Sequence, residues 1–245
     1  NQRTVQRARI GDALAGPIQA GAPDHVDQLV VLAELGNRGA DQPALQGQRH
    51  VLARAALAQD GFRPLFNGKN LDEWIVDTPG LWRVEGGAII GKSPGLKYND
   101  FLRTKKHYRN FVLKVTFRMT DETGKANSGD QFRSKPMEGS QEVIGYQADM
   151  GQQYWGCLYD ESRRKKVLAQ ASPAALASLR KGDWNEYVIT AQGNRIELTL
   201  NGIRSVEWME NEPGIEQSGF IALQLHGGPP LQMEFKKLLI KVLPD

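Results

Sequence analysis

Three short stretches of the chain carry residue types that can do chemistry on a sugar. In Asn127–Arg133, Gly129, Gln131 and Arg133 fall on one face of an extended segment, opposite Asp130 and Phe132. In Gly145–Asp149, Gln147 and Asp149 share a face with Gly145. In Ile221–His226, Ala222, Gln224 and His226 alternate with Ile221, Leu223 and Leu225. An arginine, a histidine, an aspartate and several carboxamides are costly to bury unless they are used. Together they suit hydroxyl groups, which need planar donors and acceptors. Tyr146 and Trp184 are candidates for the aromatic platforms that apolar sugar faces take. Singly, each has a plainer role: His226 as a structural histidine, Arg133 as an ion-pair partner of Asp149 or Glu161, and Trp82, Trp184 and Trp208 as packing. The agreement of several faces favours the sugar site.

Other chemistries lack their residues. No glycine-rich phosphate loop, nucleophile elbow, His-x-x-x-His pair or Cys-x-x-Cys occurs. The Glu-x-Asp-x-x-Glu pattern of many retaining sandwich glycosidases is also missing, which argues against two carboxylates acting from one strand. The lone Cys157 excludes an internal disulfide. A net charge of +3 is too small to indicate nucleic acid. No apolar run approaches the roughly 20 residues of a membrane span. The chain opens at Asn1 with neither an initiator Met nor an apolar signal core, so a targeting segment is expected to be missing or never present.

The elements that would position these residues are strands. Phe111, Leu113, Val115 and Phe117 alternate with more polar neighbours, as a half-buried strand does. Ile196–Leu200 and Ile203–Trp208 flank Asn201-Gly202, a hairpin signal because both turn positions want positive φ. Trp82–Val84 and Ala88–Ile90 flank a second such turn. Further strands are expected at 129–133, 146–149, 156–159, 186–191, 219–226 and 233–242, with one helix at 173–180. Many short strands without strand–helix alternation predict an all-β antiparallel sandwich.

Residues 1–60 contain no aromatic residue and no lysine, whereas both are frequent afterwards. The boundary is expected at Gln59–Gly61, with 61–245 as the sandwich domain. The first 60 residues read as an extension, helical near 25–35 and 44–57 or else disordered, with no function assigned.

From Phe62 onward the sequence resembles the 3-keto-disaccharide hydrolase domain family. The resemblance rests on Phe62–Trp74 (FRPLFNGKNLDEW), Trp82–Gly87, Asn127-Ser128-Gly129-Asp130-Gln131-Phe132-Arg133, Gly145-Tyr146-Gln147-Ala148-Asp149, Gly182–Asn185, Leu200–Gly202 and Gly219–Gly227, in that order. It implies a concanavalin A-like jelly roll, a secreted or periplasmic setting in bacteria, and cleavage of 3-keto glycosides. Gln147 stands where the family often has Glu, Asp149 where it often has Gln, and Asp130 where an apolar residue is common.

A C3 ketone acidifies the C2 hydrogen, so the aglycone can leave by elimination. That chemistry needs a base, an enolate stabiliser and an acid for the leaving group. The expected roles are Asp149 or His226 as base, Arg133 at the enolate, and Glu161 or Glu142 as acid. Asn127, Gln131, Gln147 and Gln224 would orient hydroxyls. A divalent metal on Asp149, Glu161 and His226 could replace Arg133, although no ligand spacing points to one. The competing readings are a non-catalytic carbohydrate-binding sandwich and an interaction domain.

Overall fold

The computed structural model describes residues 60–245. The expected extension, with its candidate helices, lies outside the described residues. Fifteen strands run in chain order: β1 (Arg63–Pro64), β2 (Trp74–Val76), β3 (Trp82–Glu85), β4 (Ala88–Ser93), β5 (Asp100–Tyr108), β6 (Phe111–Thr120), β7 (Asn127–Pro136), β8 (Val143–Gly151), β9 (Leu158–Glu161), β10 (Lys166–Ala169), β11 (Asn185–Gln192), β12 (Arg195–Leu200), β13 (Ile203–Met209), β14 (Gly219–Leu225) and β15 (Leu231–Val242). One short helix, α1 (Pro173–Ala177), stands between β10 and β11. It starts where the Ser172 side chain accepts the Ala175 N–H and ends at Ser178, short of the expected Arg180.

The strands form two antiparallel sheets. The first has the order β13-β12-β11-β6-β15-β4-β3, with β1 also on β15; the second has the order β10-β9-β8-β7-β14-β5-β2. Local chemistry fixes the hairpins. Asn201 and Gly202, at φ 51 and 80, turn β12 into β13, as only residues tolerant of positive φ can. Between the sheets lies one core, in which Leu113, Val115 and Phe117 of β6 and Ile189 of β11 belong to the same cluster as Phe132, Ala148, Ile221 and Leu223 of the second sheet. Along β6 buried and half-buried residues alternate, so the first sheet keeps one wet face. The second sheet differs: the first eight residues of β7 and all of β14 are buried on both faces. No helix among the described residues is long and apolar enough to cross a membrane.

Candidate active site

Register decides which residues of the second sheet face outward. Gly129 pairs with Asp149 and Gln131 with Gln147 across β7 and β8. Tyr159 of β9 pairs with Gln147, and Glu161 with Gly145. On the other side of β7, Ala222 of β14 pairs with Gln131, and Gln224 pairs with Phe101 of β5. The intervening residues Phe132, Ala148, Met150, Leu158 and Leu223 all enter the core. The outward face therefore carries Asn127, Gln131, Gln147, Asp149, Tyr159, Glu161 and Gln224 side by side. Glycine at 129 makes room: a Cβ there would lie 2.5 Å from Cγ and Cδ of Gln147, which crosses the backbone at that point.

A continuous hydrogen-bond chain links these side chains. Asn127 Nδ2 donates to Asp149 Oδ1 at 2.7 Å, and Gln147 Nε2 to Oδ2 at 2.9 Å. Gln131 Nε2 donates to Gln147 Oε1 at 2.5 Å, and Ser134 Oγ to Gln131 Oε1 at 3.1 Å. Burial pushes the Asp149 carboxyl up to about 8; the two amide donors oppose this and the charge of Glu161 adds to it. Glu161 is pushed up to about 7, first by burial and then by the charge of Glu142. Two carboxyl groups that titrate near neutrality on one sheet face can exchange protons with a substrate.

The rim comes from loops. Glu142, at the end of the β7–β8 turn, accepts from Asn99 Nδ2 at 2.8 Å. The side-chain oxygen Oδ1 of Asn99 accepts the Gly227 N–H at 2.8 Å, beside His226. His226 Nδ1 lies 2.5 Å from the Gly227 carbonyl, a contact in which Nδ1 is the donor because a carbonyl can only accept. Gln224 is fully buried, and neither its amide nitrogen nor its oxygen has a partner among the described residues.

Residues 61–241 match the family described as the 3-keto-alpha-glucoside-1,2-lyase-like domain. The chain belongs to this family. Solved structures share the sandwich of this 3-keto-glucoside lyase-like domain. One, from Parabacteroides distasonis and provisionally assigned as a glycosyl hydrolase, is 21% identical over 77% of this chain and 97% of its own, with a TM-score of 0.59. The carbohydrate-binding module CBM66 from Bacillus subtilis is 14% identical over 73% of this chain and 99% of its own, with a TM-score of 0.54. A galectin-like protein of unknown function from Bacillus subtilis is 9% identical over 71% and 92%, at 0.53. No curated protein matches in a sequence comparison.

Within this lyase-like domain, eight of the residues singled out in the sequence come together: Asn127, Gln131, Gln147, Asp149 and Gln224 on the face, Glu161 beside them, and Glu142 and His226 at the rim. Three do not. Arg133 sits at a β-bulge with φ 48, where the β7–β8 register shifts, so it leaves the alternation that Gln131 obeys. Its guanidinium donates to the carbonyls of Arg109 and Gly193, both at 2.8 Å, and to the side chains of Gln217 and Asn110. It is an internal staple and offers nothing to an enolate. Tyr146 points into the core, stacked on Phe132 at 5.6 Å, with its hydroxyl donated to Glu210 at 2.8 Å. Trp184 follows α1 and leads into β11 of the other sheet, where Lys236 and Arg118 lie 3.5 and 4.7 Å from its ring centroid.

The suggested metal ligands do not form a set either. Among the described residues no three acidic, histidine or cysteine side chains are gathered for a metal. Sequence reasoning missed Tyr159 and Asn99. Tyr159 was within reach, since it alternates with Leu158 and Asp160 two residues before Glu161; Asn99 lies in an irregular segment with no periodic signal.

Proposed function

We propose that this protein cleaves 3-keto glycosides by removing the C2 proton and eliminating the group on C1. One observation carries the reading: Asp149 and Glu161, on one sheet face, are held at about 8 and about 7 and sit among carboxamides. Ionised Asp149 takes the C2 proton, and the electron pair passes to the C3 oxygen as an enolate. As the ketone re-forms, a C1=C2 double bond appears and the C1–O bond breaks. The departing oxygen takes a proton from Glu161, with Glu142 beside it. Water then adds at C1 and C2 regains a proton, so the net change is hydrolysis.

Gln224 is the donor assigned to the keto oxygen, because its buried amide has no other partner among the described residues. An unpaired buried amide costs about 1–3 kcal/mol, which a bound substrate would return. Asn127 and Gln147 hold Asp149, while Gln131 holds Gln147. His226, at the rim, is the second candidate for the base.

Turnover in D2O tests the route. Elimination with re-addition leaves deuterium at C2 of the released 3-keto sugar, and Asp149→Asn lowers both exchange and release. Product that retains its C2 hydrogen contradicts elimination. A sugar-binding module is the second reading, favoured by a carboxamide–carboxylate chain that is complete without a ligand; binding with no turnover would select it.

A further inference from the structure

At the rim residues Asn99 and Glu142 opens a cleft of about 200 Å³, lined also by Asp77, Thr78, Arg103 and Gln141, among others. It begins at the rim of the site, since Asn99 and Glu142 line it, Asn99 Nδ2 donates to Glu142 at 2.8 Å and Asn99 Oδ1 accepts the Gly227 N–H beside His226. Its volume falls below the roughly 300–1,000 Å³ of drug-sized sites, so it holds a single ring and no longer chain.

The cleft wall carries a preformed polar device. Arg103 Nε and Nη2 fork onto Asp77 Oδ2 and Oδ1 at 3.0 and 2.6 Å. The guanidinium also lies over the Phe220 ring, 5.5 Å from its centroid. Among the described residues, one arginine nitrogen, Nη1, and the spare lone pairs of a half-exposed carboxylate remain uncommitted. Such a pair donates to one hydroxyl and accepts from its neighbour, the pattern of a vicinal diol. Being neutral overall, it gives no added attraction to a charged group. The aromatic residue lining the cleft, Phe101, is only 1% exposed, so no ring face is offered for stacking.

We infer that this cleft is the leaving-group subsite, and that the Arg103–Asp77 pair selects a neutral sugar over an aryl or alkyl aglycone. The inference rests on the elimination reading given above.

The test compares three substrates: a 3-keto disaccharide, methyl 3-keto-glucoside and a 4-nitrophenyl 3-keto-glucoside. Wild type, Asp77→Ala and Arg103→Met are assayed on each. Both substitutions are expected to lower kcat/KM for the disaccharide about 10- to 100-fold, the range of a charge-assisted hydrogen bond. Turnover of the methyl and aryl glycosides, which place no diol in the cleft, changes less than about threefold. Asp77 lies at the surface, so its variant separates loss of recognition from loss of folding. Equal losses on all three substrates, or none on the disaccharide, overturn the subsite while leaving the elimination reading intact. A wild type inactive on all three overturns both.

Discussion

Asn127 reaches Asp149 diagonally across the β7–β8 ladder: Nδ2 lies 2.7 Å from Oδ1, although the backbone partner of Asn127 is Gly151. The bond steadies the ionised form of a carboxyl that burial pushes the other way. Asn127→Leu therefore moves the Asp149 ionisation to higher pH. In a pH–rate profile the limb assigned to Asp149 shifts upward, and kcat at pH 7.5 falls by about tenfold, the scale of one lost hydrogen bond to a charged group. An unshifted limb would show that Asn127 does not control this carboxylate.

The pair also sets the pH optimum. Elimination needs one proton on the two carboxyls together, and the observed steps belong to the pair more than to either member. With Asp149 at about 8 and Glu161 at about 7, activity rises through the lower value and falls through the upper. The maximum is expected near pH 7.5, and Glu161→Gln removes one limb. A flat profile from pH 6 to 9 would contradict this.

Asp130 makes the opposite kind of prediction, on stability. It is fully buried in the core with both carboxyl oxygens unpartnered, and burial drives its pKa well above the usual range. The fold holds it protonated, while the unfolded chain releases the proton at about 3.9. The unfolded state then binds fewer protons, so stability falls as pH rises above that value. Asp130→Val is expected to stabilise by about 1–3 kcal/mol at pH 7.5 and by less at pH 4.5, read from denaturant unfolding at both pH values. A destabilised variant would mean the carboxyl has an unseen partner.

Arg133 should behave as a structural residue. Arg133→Met removes donors from the carbonyls of Arg109 and Gly193 and from Asn110 and Gln217. A loss of about 2–4 kcal/mol of stability follows, with kcat below the melting transition within a few-fold of wild type. A large fall in kcat with unchanged stability would return it to the active site.

Much of this arrangement is legible in the sequence, and the exceptions have physical reasons. Two-residue alternation finds β6, β8 and β14, because a sheet with one face in the core must alternate. It places Gln147 with Asp149, and Gln131 with Gly129. It fails at Arg133, since a bulge adds a residue and breaks parity without an obvious glycine to mark it. Tyr146 is an aromatic whose parity already pointed to the core, next to Gln147. Trp184 shows a different limit, because strand patterns do not say which sheet a strand joins. The Arg103–Asp77 pair is non-local, joining β5 to the loop after β2, and no spacing rule reaches it. Asp130 stood out as a carboxylate at a position where the family often has an apolar residue, and the core explains that preference.

The central claim is tested most directly by mixing the purified full chain with a 3-keto disaccharide and, separately, with its unoxidised parent, and following free sugar. Elimination requires the ketone, so release from the keto substrate alone is predicted, with Asp149→Asn reducing it at least 100-fold. Equal release from the parent disaccharide, or sugar bound tightly but never cleaved, would contradict the account.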